Sequence, residues 1–554
     1  MSATTETLRR LEEATGLTTG KGVKTNPDGI RCFLTDLKEI RFFTMNKDTE
    51  IDMKEVELNV LDPEKEPMTG DGQTAGGEKN GSVKLKVPED EVTFTGLSKE
   101  ELMRVAGTPG WVRTRWVLLV LFWLGWVGML AGAIVIIVQA PRCKPIPEMN
   151  WWNEGSLYQI SDLDAFSEGL EGVEAKLDEI NKLKVKGLVL GPLHNVQADQ
   201  PDTLNLKDFN PTRGNEKAFV AVMEKAHKKG ISVVLDLTPN YLGAVPWFRT
   251  GDVDVDDVLE KVKVAAEYWL NLDVDGIKLP ALTVATSSVD WSMLQAAVHG
   301  NRTNKKLLMG VVEGISAAEV SQLANTTGVD LVLSDLLSSR SGGVARIQAM
   351  DTLHSQQRNV AWGLGAAQKD QLSKLATTPG LIRLYQLLLF TMPGTPVFTY
   401  GDEIGLQAVG TASPKMVWDI ENEPAEGSAN DTAEAERKER VAVKKWFKSL
   451  SDQRVKERSL LYGDYYPLFS SASSLSFLRL WDQSDRYITA VNWGAAAETL
   501  SLKLAPTEGV ELPEKATVKL STDPEQLEVD STVSLDQVTL GPGQGVLLQF
   551  PYTG

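Results

Sequence analysis

The sequence predicts an α/β protein: a single transmembrane helix, followed by a (β/α)8 barrel of the TIM type and a C-terminal antiparallel β domain. Three observations support this prediction: a long uncharged apolar run, helix-then-strand patterns repeated through the middle of the chain, and short alternating segments near its end. At 554 residues the chain is too long for one ordinary domain.

The uncharged run extends from Trp116 to Val138. A helix of this length spans about 35 Å, enough to cross a hydrocarbon core of about 30 Å. Tryptophans are concentrated towards its start, as in an interfacial belt. The run is too long and too far from the N-terminus for a cleaved signal peptide, so we predict a signal-anchor over residues 116–138.

The orientation of this helix follows from its flanks. Three arginines precede it and two basic residues follow it, which favours a cytoplasmic N-terminus. Three acceptor triplets for N-glycosylation follow the run, at Asn301, Asn325 and Asn430, and we predict glycan at these asparagines. The sequence therefore predicts a single-pass type II membrane protein with an extracellular C-terminus.

Residues 1–115 are predicted to be a cytoplasmic tail that is largely disordered, because much of it is acidic, contains glycine and lacks aromatic residues. A juxtamembrane helix is predicted from Ser98, where Glu101 three residues later completes a capping box. The first 44 residues show no pattern that we can interpret.

Beyond the membrane, an extracellular linker is predicted over residues 139–150 and a barrel over 151–464. Helical patterns such as "EKAFVAVMEKAHKKG" lead directly into buried-strand patterns such as "ISVVLDLTPN", and this unit recurs. Such repetition predicts parallel strands with right-handed crossovers, closed into a barrel. Residues 465–554 contain short alternating segments such as "SLSFLRLWD" and "RYITAVNWG", which predict the β domain.

The net charge of −18 argues against nucleic-acid binding, and the sequence predicts neither a cofactor nor a metal site. Only two cysteines are present, Cys32 and Cys143, and the predicted topology puts them on opposite sides of the membrane. Cys143 lies among prolines that favour an extended linker. An unpaired cysteine in an oxidising compartment indicates a bond to another chain, a homodimer link or an idle thiol.

Inside the predicted helix, Gly128 and Gly132 have the G-x-x-x-G spacing that lets a second helix approach closely. Incidental glycine is the alternative interpretation. The single uncharged helix cannot form a solute pathway alone, so transport, if any, requires a partner.

Several blocks after residue 150 resemble the α-amylase clan of glycoside hydrolases, among them "WWNEGSLYQISDLDAF", "DLTPNY" and "PGTPVFTYGDEIGL". The resemblance implies a barrel and an antiparallel domain over residues 151–554. It also implies positions for catalysis, because a retaining glycosidase needs two carboxylates about 5 Å apart.

The catalytic positions that the resemblance implies do not carry the required groups. The clan's Gly-x-Arg-x-Asp block has Lys278 and Pro280 in place of the arginine and the nucleophile. At the general-acid position the chain has Val311, and Glu313 lies two residues further on, where we expect a solvated loop edge. The strand-seven block reads "NVAWGLGAAQ", without histidine or aspartate. We therefore predict that the protein is not an enzyme.

Two further differences concern the third-strand block. Tyr241 occupies the position where the clan has a histidine, and Asp236 and Asn240, which match the clan, are predicted to serve capping and loop hydrogen bonding. Asp402 and Glu403 match a structural block of the clan.

The blocks "DTEIDMKEVELN", "GLSKEELMRVAGTPGWVRTRW" and "LFWLGWVGMLAGAIVIIV" extend the resemblance to the heavy chains of heteromeric amino-acid transporters, of the cell-surface antigen type. The resemblance implies that Cys143 forms a disulfide with a polytopic light chain that exchanges large neutral and related amino acids. It implies that the heavy chain stabilises this partner and delivers it to the plasma membrane, with a further role in adhesion through integrin β subunits. Only about 35 residues separate "DLTPN" from "DGIKL", too few for the domain that interrupts the barrel in the other heavy-chain type.

Two rival functions remain. One is a membrane-anchored α-glucosidase, and the other is a stand-alone carbohydrate-binding or adhesion protein.

Overall fold

The structure is a computed structural model, which describes most of the chain after residue 97. The described ranges are 98–139, 144–243, 245–248, 255–282, 290–300, 304–312, 316–336, 342–354, 358–363, 372–376, 378–407, 413–421, 431–504 and 510–552. The chain divides into two units, Met1–Pro145 and Ile146–Gly554.

The described part of the first unit consists of two helices, α1 (Lys99–Ala106) and α2 (Pro109–Gln139). The predicted capping box at the start of α1 is confirmed: the Glu101 amide donates to Ser98 Oγ, and the Ser98 amide donates to the Glu101 carboxylate, each at 3.3 Å. The long helix begins at Pro109, earlier than the apolar run at Trp116, because the intervening residues continue the helical hydrogen bonding. Among the described residues, α2 is the one helix long and apolar enough to cross a membrane.

Eight parallel strands in the second unit form the closed barrel that the sequence predicts. The strand order around the barrel is β1-β10-β9-β8-β7-β6-β5-β2, and pairing of β2 with β1 closes it. A short hairpin of β3 and β4 interrupts the series after β2. The bounds are β1 Leu157–Ile160, β2 Gly187–Leu190, β3 His194–Asn195, β4 Asn205–Phe209, β5 Ser232–Asp236, β6 Gly276–Ala281, β7 Leu307–Val312, β8 Leu331–Ser334, β9 Val360–Trp362 and β10 Thr395–Thr399.

Helices connect the strands and cover the barrel with their apolar sides. In α4, for example, Leu170, Val173, Leu177 and Ile180 recur at helical spacing and are all buried. Between β5 and β6 the described residues form one helix, α6. The bounds are α3 Leu163–Ser167, α4 Leu170–Asn181, α5 Glu216–Lys228, α6 Val255–Asn271, α7 Ser292–His299, α8 Ala317–Thr327, α9 Gly343–His354 and α10 Pro379–Thr391.

The barrel interior is filled by side chains from alternate positions of the strands, so it is a packed core. Leu157, Val234, Met309 and Val397 belong to this cluster, and Trp152, which precedes β1, is fully buried against it.

The C-terminal part is the predicted antiparallel β domain. Its main sheet has the order β11-β12-β13-β18-β15-β16, and β14 pairs separately with β17. The last strand therefore lies inside the sheet, between β13 and β15. Two helices, α11 (Asp431–Lys456) and α12 (Arg458–Leu461), precede the sheet. The bounds are β11 Asp464–Ser470, β12 Ser474–Leu480, β13 Arg486–Asn492, β14 Glu498–Leu500, β15 Lys515–Ser521, β16 Thr532–Ser534, β17 Val538–Leu540 and β18 Gln544–Phe550.

Helix α10 joins the barrel to this sheet, because it packs on β13 and β18 as well as on the barrel. Two buried arginines bind its C-terminal end. Arg479 of β12 donates to the carbonyl of Thr391 at 2.8 Å, and Arg454 of α11 donates to the carbonyl of Met392 at 2.6 Å. These bonds satisfy carbonyls that the helix leaves open and place positive charge at the negative end of its dipole.

Candidate functional site

The carboxyl ends of the barrel strands are where enzymes with this architecture place their catalytic groups. Lys278, within β6, places its Nζ 2.9 Å from Oδ2 of Asp236, the last residue of β5, and both side chains are buried. The other carboxylate oxygen of Asp236 accepts hydrogen bonds from the amide and hydroxyl of Thr238. Because both oxygens of Asp236 are engaged inside the protein, this carboxylate acts as a structural group.

The resemblance implies catalytic positions on three strands, and the structure describes part of each. Pro280 is buried within β6 and has no side-chain oxygen. Val311 is buried within β7. The strand-seven equivalent, β9, consists of the buried apolar residues Val360–Trp362. Glu313, the one carboxylate predicted near this region, lies outside the described residues.

Asn240 confirms the prediction of loop hydrogen bonding. Its side-chain amide donates to Asp199 Oδ1 at 2.9 Å and to the carbonyl of Val245 at 2.7 Å, and its oxygen accepts from the Asp199 amide at 3.0 Å. The two bonds with Asp199 connect the loop after β5 with the loop after β3, and the bond to Val245 lies within the loop after β5.

His194 is a buried titratable group at this end of the barrel that the sequence did not reveal. Its Nε2 lies 3.4 Å from the carbonyl of Pro239, and its ring makes a T-shaped contact with the ring of Tyr241, with centroids 5.1 Å apart. Burial lowers the pKa of His194 to about 4, so the imidazole is neutral at physiological pH. Tyr241, in place of the clan's histidine, donates its hydroxyl to the His194 carbonyl at 2.9 Å.

A second acidic group follows β10. The Asp402 carboxylate accepts from the amides of Leu372 at 2.6 Å and Thr399 at 2.9 Å, and Glu403 accepts from the Tyr158 hydroxyl at 2.7 Å. Burial raises the pKa of Asp402 to about 8 and also raises the pKa of Glu403. Both residues hold backbone turns and neighbouring strands, as the structural interpretation of this block predicts. Across the described residues, no cluster of three or more His, Cys, Asp or Glu side chains is arranged to hold a metal ion.

Helix α2 presents a different kind of surface. None of its residues, from Pro109 to Gln139, is buried. Gly128 and Gly132 lie on this open surface, and a methyl group on either would meet no atom within 4 Å other than the neighbouring backbone of α2 itself. The helix therefore leaves its apolar surface, including the two glycines, available to lipid or to another helix. Cys143, which follows the helix, lies outside the described residues.

Of the three predicted glycosylation residues, the structure describes Asn325. It is exposed near the end of α8, whereas Thr327 of the same triplet is buried and donates its hydroxyl to the carbonyl of Leu323 at 2.6 Å. The acceptor asparagine is therefore exposed, while the hydroxyl of its triplet is engaged within the helix. Asn301 and Asn430 lie outside the described residues.

Comparisons with known proteins match both units. A family model described as the N-terminus of solute carrier family 3 member 2 matches residues 82–158, and a model of the α-amylase catalytic domain matches residues 158–257. The amino acid transporter heavy chain SLC3A2 of Oryctolagus cuniculus is 43% identical over 536 residues, covering 92% of this chain and all of the relative. The protein of the same name from Mus musculus is 42% identical, with the same coverage of both chains.

The chain belongs to the amino acid transporter heavy chain family. Similarity to the other heavy-chain type is weaker: the SLC3A1 heavy chain of Homo sapiens is 22% identical, over 82% of this chain and 85% of that protein. The resemblance to transporter heavy chains that the sequence indicated is thus confirmed. The heavy-chain relatives and the one long apolar helix together indicate a single-pass membrane protein.

Solved structures confirm the amylase-like fold of this heavy chain. An α-amylase from Geobacillus thermoleovorans superposes with a TM-score of 0.53, covering 74% of this chain and all of that chain at 17% identity. A debranching enzyme from Nostoc punctiforme gives a TM-score of 0.54, over 73% of this chain and all of that chain, at 18% identity. At such identities the likeness concerns the fold alone.

Proposed function

We propose that this heavy chain is a non-catalytic subunit that binds an amino-acid transporter light chain through a disulfide at Cys143, stabilises it and delivers it to the plasma membrane. The transported solutes would be large neutral and related amino acids. The observation that carries the proposal is the long apolar surface of helix α2, which is not buried by any described residue of its unit. The chain is matched along its length by transporter heavy chains.

The absence of charge in the centre of α2 indicates which chain forms the solute pathway. A polytopic partner must supply the solute pathway, because α2 is a single helix whose central segment carries no charge. Gly128 and Gly132 would form the closest contact with the partner, since small residues let two helix backbones approach. The disulfide at Cys143 would then prevent dissociation without having to provide specificity.

The barrel would serve as a folded ectodomain without glycosidase activity. The buried Lys278–Asp236 pair and the buried Pro280 support this, because a covalent glycosyl intermediate needs an accessible carboxylate opposite a general acid. No cofactor or metal is part of the proposal.

The proposed topology is type II, with residues 1–115 in the cytosol, 116–138 crossing the membrane and 139–150 as the linker that bears Cys143. The amylase-like barrel (151–464), without an inserted domain after its third strand, and the β domain (465–554) would be extracellular, with glycan on Asn301, Asn325 and Asn430. We also carry forward the adhesion role through integrin β subunits, which rests on the family resemblance.

Electrophoresis of membrane extracts with and without reductant tests the disulfide. We expect a heavier species without reductant that contains a light chain and that disappears on Cys143→Ser substitution. Cys32→Ser is the matched control and should retain the heavier species. A chain that migrates as a monomer in both lanes, or a heavier species that persists in Cys143→Ser, would contradict the proposal.

An assay of the purified protein with maltose-like substrates tests the absence of catalysis. We expect no hydrolysis above the uncatalysed rate, and no change on Glu313→Gln. Hydrolysis abolished by Glu313→Gln would instead support the membrane-anchored α-glucosidase. Delivery to the cell surface without any polytopic partner would support the stand-alone adhesion protein.

A further inference from the structure

Helix α1 has an apolar side that is uncovered within the described part of its unit. At about 100° per residue, Leu102, Met103, Val105 and Ala106 fall on one side of the helix, while Glu100, Glu101 and Arg104 fall on the other. Lys99, the first residue of the helix, lies on the apolar side, and its long aliphatic stem allows the ammonium group to reach the headgroups. Leu102 is 56% exposed and Met103 is 69% exposed. No residue of Lys99–Ala106 is buried, so this apolar side faces outwards.

Local hydrogen bonds define where this helix begins and ends, and hence which residues share the apolar side. The Ser98–Glu101 capping box sets its start. At its end, the Gly107 amide donates to the carbonyl of Met103 at 3.1 Å, and the Thr108 hydroxyl donates to the carbonyl of Val105 at 2.6 Å. Eight residues make a marginal helix in water, so contacts along its apolar side would be needed to keep it formed.

The neighbouring sequence places α1 at a particular depth. Only Gly107 and Thr108 separate it from α2, whose first turns carry Trp111, Arg113 and Arg115. Tryptophan and arginine at the end of a membrane-spanning helix lie at the level of the lipid headgroups. If α2 crosses the bilayer, α1 is held at that same level by the two-residue connection.

We propose that α1 lies in the membrane interface of the leaflet at the N-terminal end of α2, with Leu102 and its apolar neighbours among the upper acyl chains. The occupant of the apolar side is lipid. It is favoured by continuity with the apolar surface of α2, and by Lys99, Arg104, Arg113 and Arg115, which complement anionic headgroups. The inference rests on the membrane crossing of α2 that the proposed function includes, and it gives α1 the role of fixing how deep α2 sits.

Fluorescence quenching on the full-length chain tests this. Cys32→Ser and Cys143→Ser remove the native thiols, and single cysteines are introduced as Leu102→Cys on the apolar side, Glu100→Cys on the polar side and Leu124→Cys within α2. Each variant is labelled with an environment-sensitive fluorophore. It is then reconstituted without a light chain into vesicles of phosphatidylcholine and phosphatidylserine, with both membrane orientations accessible to iodide.

We expect the label at position 102 to be blue-shifted and quenched about fivefold less by iodide than the label at position 100, with position 124 fully protected. Equal quenching at positions 102 and 100, with position 124 protected, would overturn the inference and leave the proposed function intact. Protection of position 102 only when a light chain is co-reconstituted would also overturn it, since the occupant would then be protein. An unprotected position 124 would contradict the membrane crossing itself.

Ser98→Ala provides a second readout that does not alter the apolar side. Loss of the cap weakens the helix, so quenching at position 102 should rise towards that at position 100. No response to Ser98→Ala would show that protection does not depend on the helix and would overturn the assignment of an interfacial helix.

Discussion

Helices α2 and α10 are both strongly apolar, yet they use their apolar side chains in opposite ways. Helix α10 buries Leu384, Leu387 and Leu388 completely between the barrel and the β sheet. Helix α2 buries none of its residues. The unit from Ile146 onwards is therefore stabilised by its own packing. Helix α2 instead exposes its apolar side chains, as a membrane-spanning helix does to lipid.

Helices α10 and α2 are both strongly apolar, but they differ in length. The 13 residues of α10 extend about 20 Å, too short to cross a bilayer, whereas the 31 residues of α2 extend about 46 Å. A short apolar helix must find its partners within the fold. A long one with no such partners requires lipid and, in a subunit, a second protein.

The largest effect is expected from a charge in the buried helix. Leu388→Asp places a carboxylate in the core of the second unit and should lower its free energy of unfolding by about 5 kcal/mol. Thermal unfolding of the full chain measures this. Val455→Asp, on the exposed side of α11, is the matched control and should change stability by about 0.5 kcal/mol or less. Equal melting temperatures for Leu388→Asp and Val455→Asp would contradict the burial of α10 as a source of stability in the second unit.

The same substitution in α2 should act on a different property. Leu124→Asp is expected to disfavour membrane insertion by about 3 kcal/mol, because a carboxylate at the centre of the bilayer loses its hydration. Carbonate extraction measures the membrane-bound fraction, and Gln139→Asp at the helix end is the control that should stay bound. Unfolding of the second unit should be unchanged; a fall in its melting temperature would show that the two regions are not independent.

The sequence predicted the architecture well where periodicity was strong. Helix-then-strand repeats indicated the barrel, and alternating segments such as β12 and β13 indicated the sheet. Helix α11 was missed, although Val443, Phe447 and Leu450 recur at helical spacing, because abundant charged residues obscure this pattern. The hairpin of β3 and β4 was also missed, since strands of two and five residues carry little periodicity.

Only some residues of the candidate site could be predicted from the sequence. Lys278 and Pro280 could be identified because the resemblance supplies a motif to compare with, and the structure shows how the lysine is used, in a buried pair with Asp236. His194 could not be identified, because its burial depends on Pro239 and Tyr241, more than forty residues away in sequence. No local pattern reports such a tertiary environment.

Acidification should affect the second unit and spare α2. The folded-state pKa of His194 lies near 4, below the unfolded value of about 6.5, so the unfolded chain binds the extra proton first as the pH falls. The stability that neutral His194 contributes is present above pH 6.5 and is lost as the pH falls towards 4. The loss in free energy of unfolding amounts to about 2 kcal/mol at pH 5. From pH 7 to pH 5 the change in melting temperature should be more negative in the parent protein than in His194→Gln, because Asp402, whose pKa is raised, contributes equally to both proteins. Membrane retention should stay constant. An identical slope in both proteins would assign the loss to other groups.

The smallest effect concerns the surface of α2. Gly128→Leu adds bulk where the helix itself has room, so it should leave insertion unchanged and weaken light-chain association by about 1 kcal/mol. Co-purification of the light chain in a Cys143→Ser background measures this without the covalent bond. Leu130→Phe, on the opposite side of α2, is the control and should bind normally. Equal loss of light-chain association in Gly128→Leu and Leu130→Phe would contradict a specific contact at the glycines.

The position of β18 has a consequence for how the sheet assembles. Gln544–Phe550 pairs with β13 on one side and with β15 on the other, and it packs against α10. The pairs formed by β11, β12 and β13 and by β15 and β16 are therefore joined into one sheet only when β18 is in place. Loss of this one segment would expose the backbone edges of both β13 and β15 and would uncover part of α10.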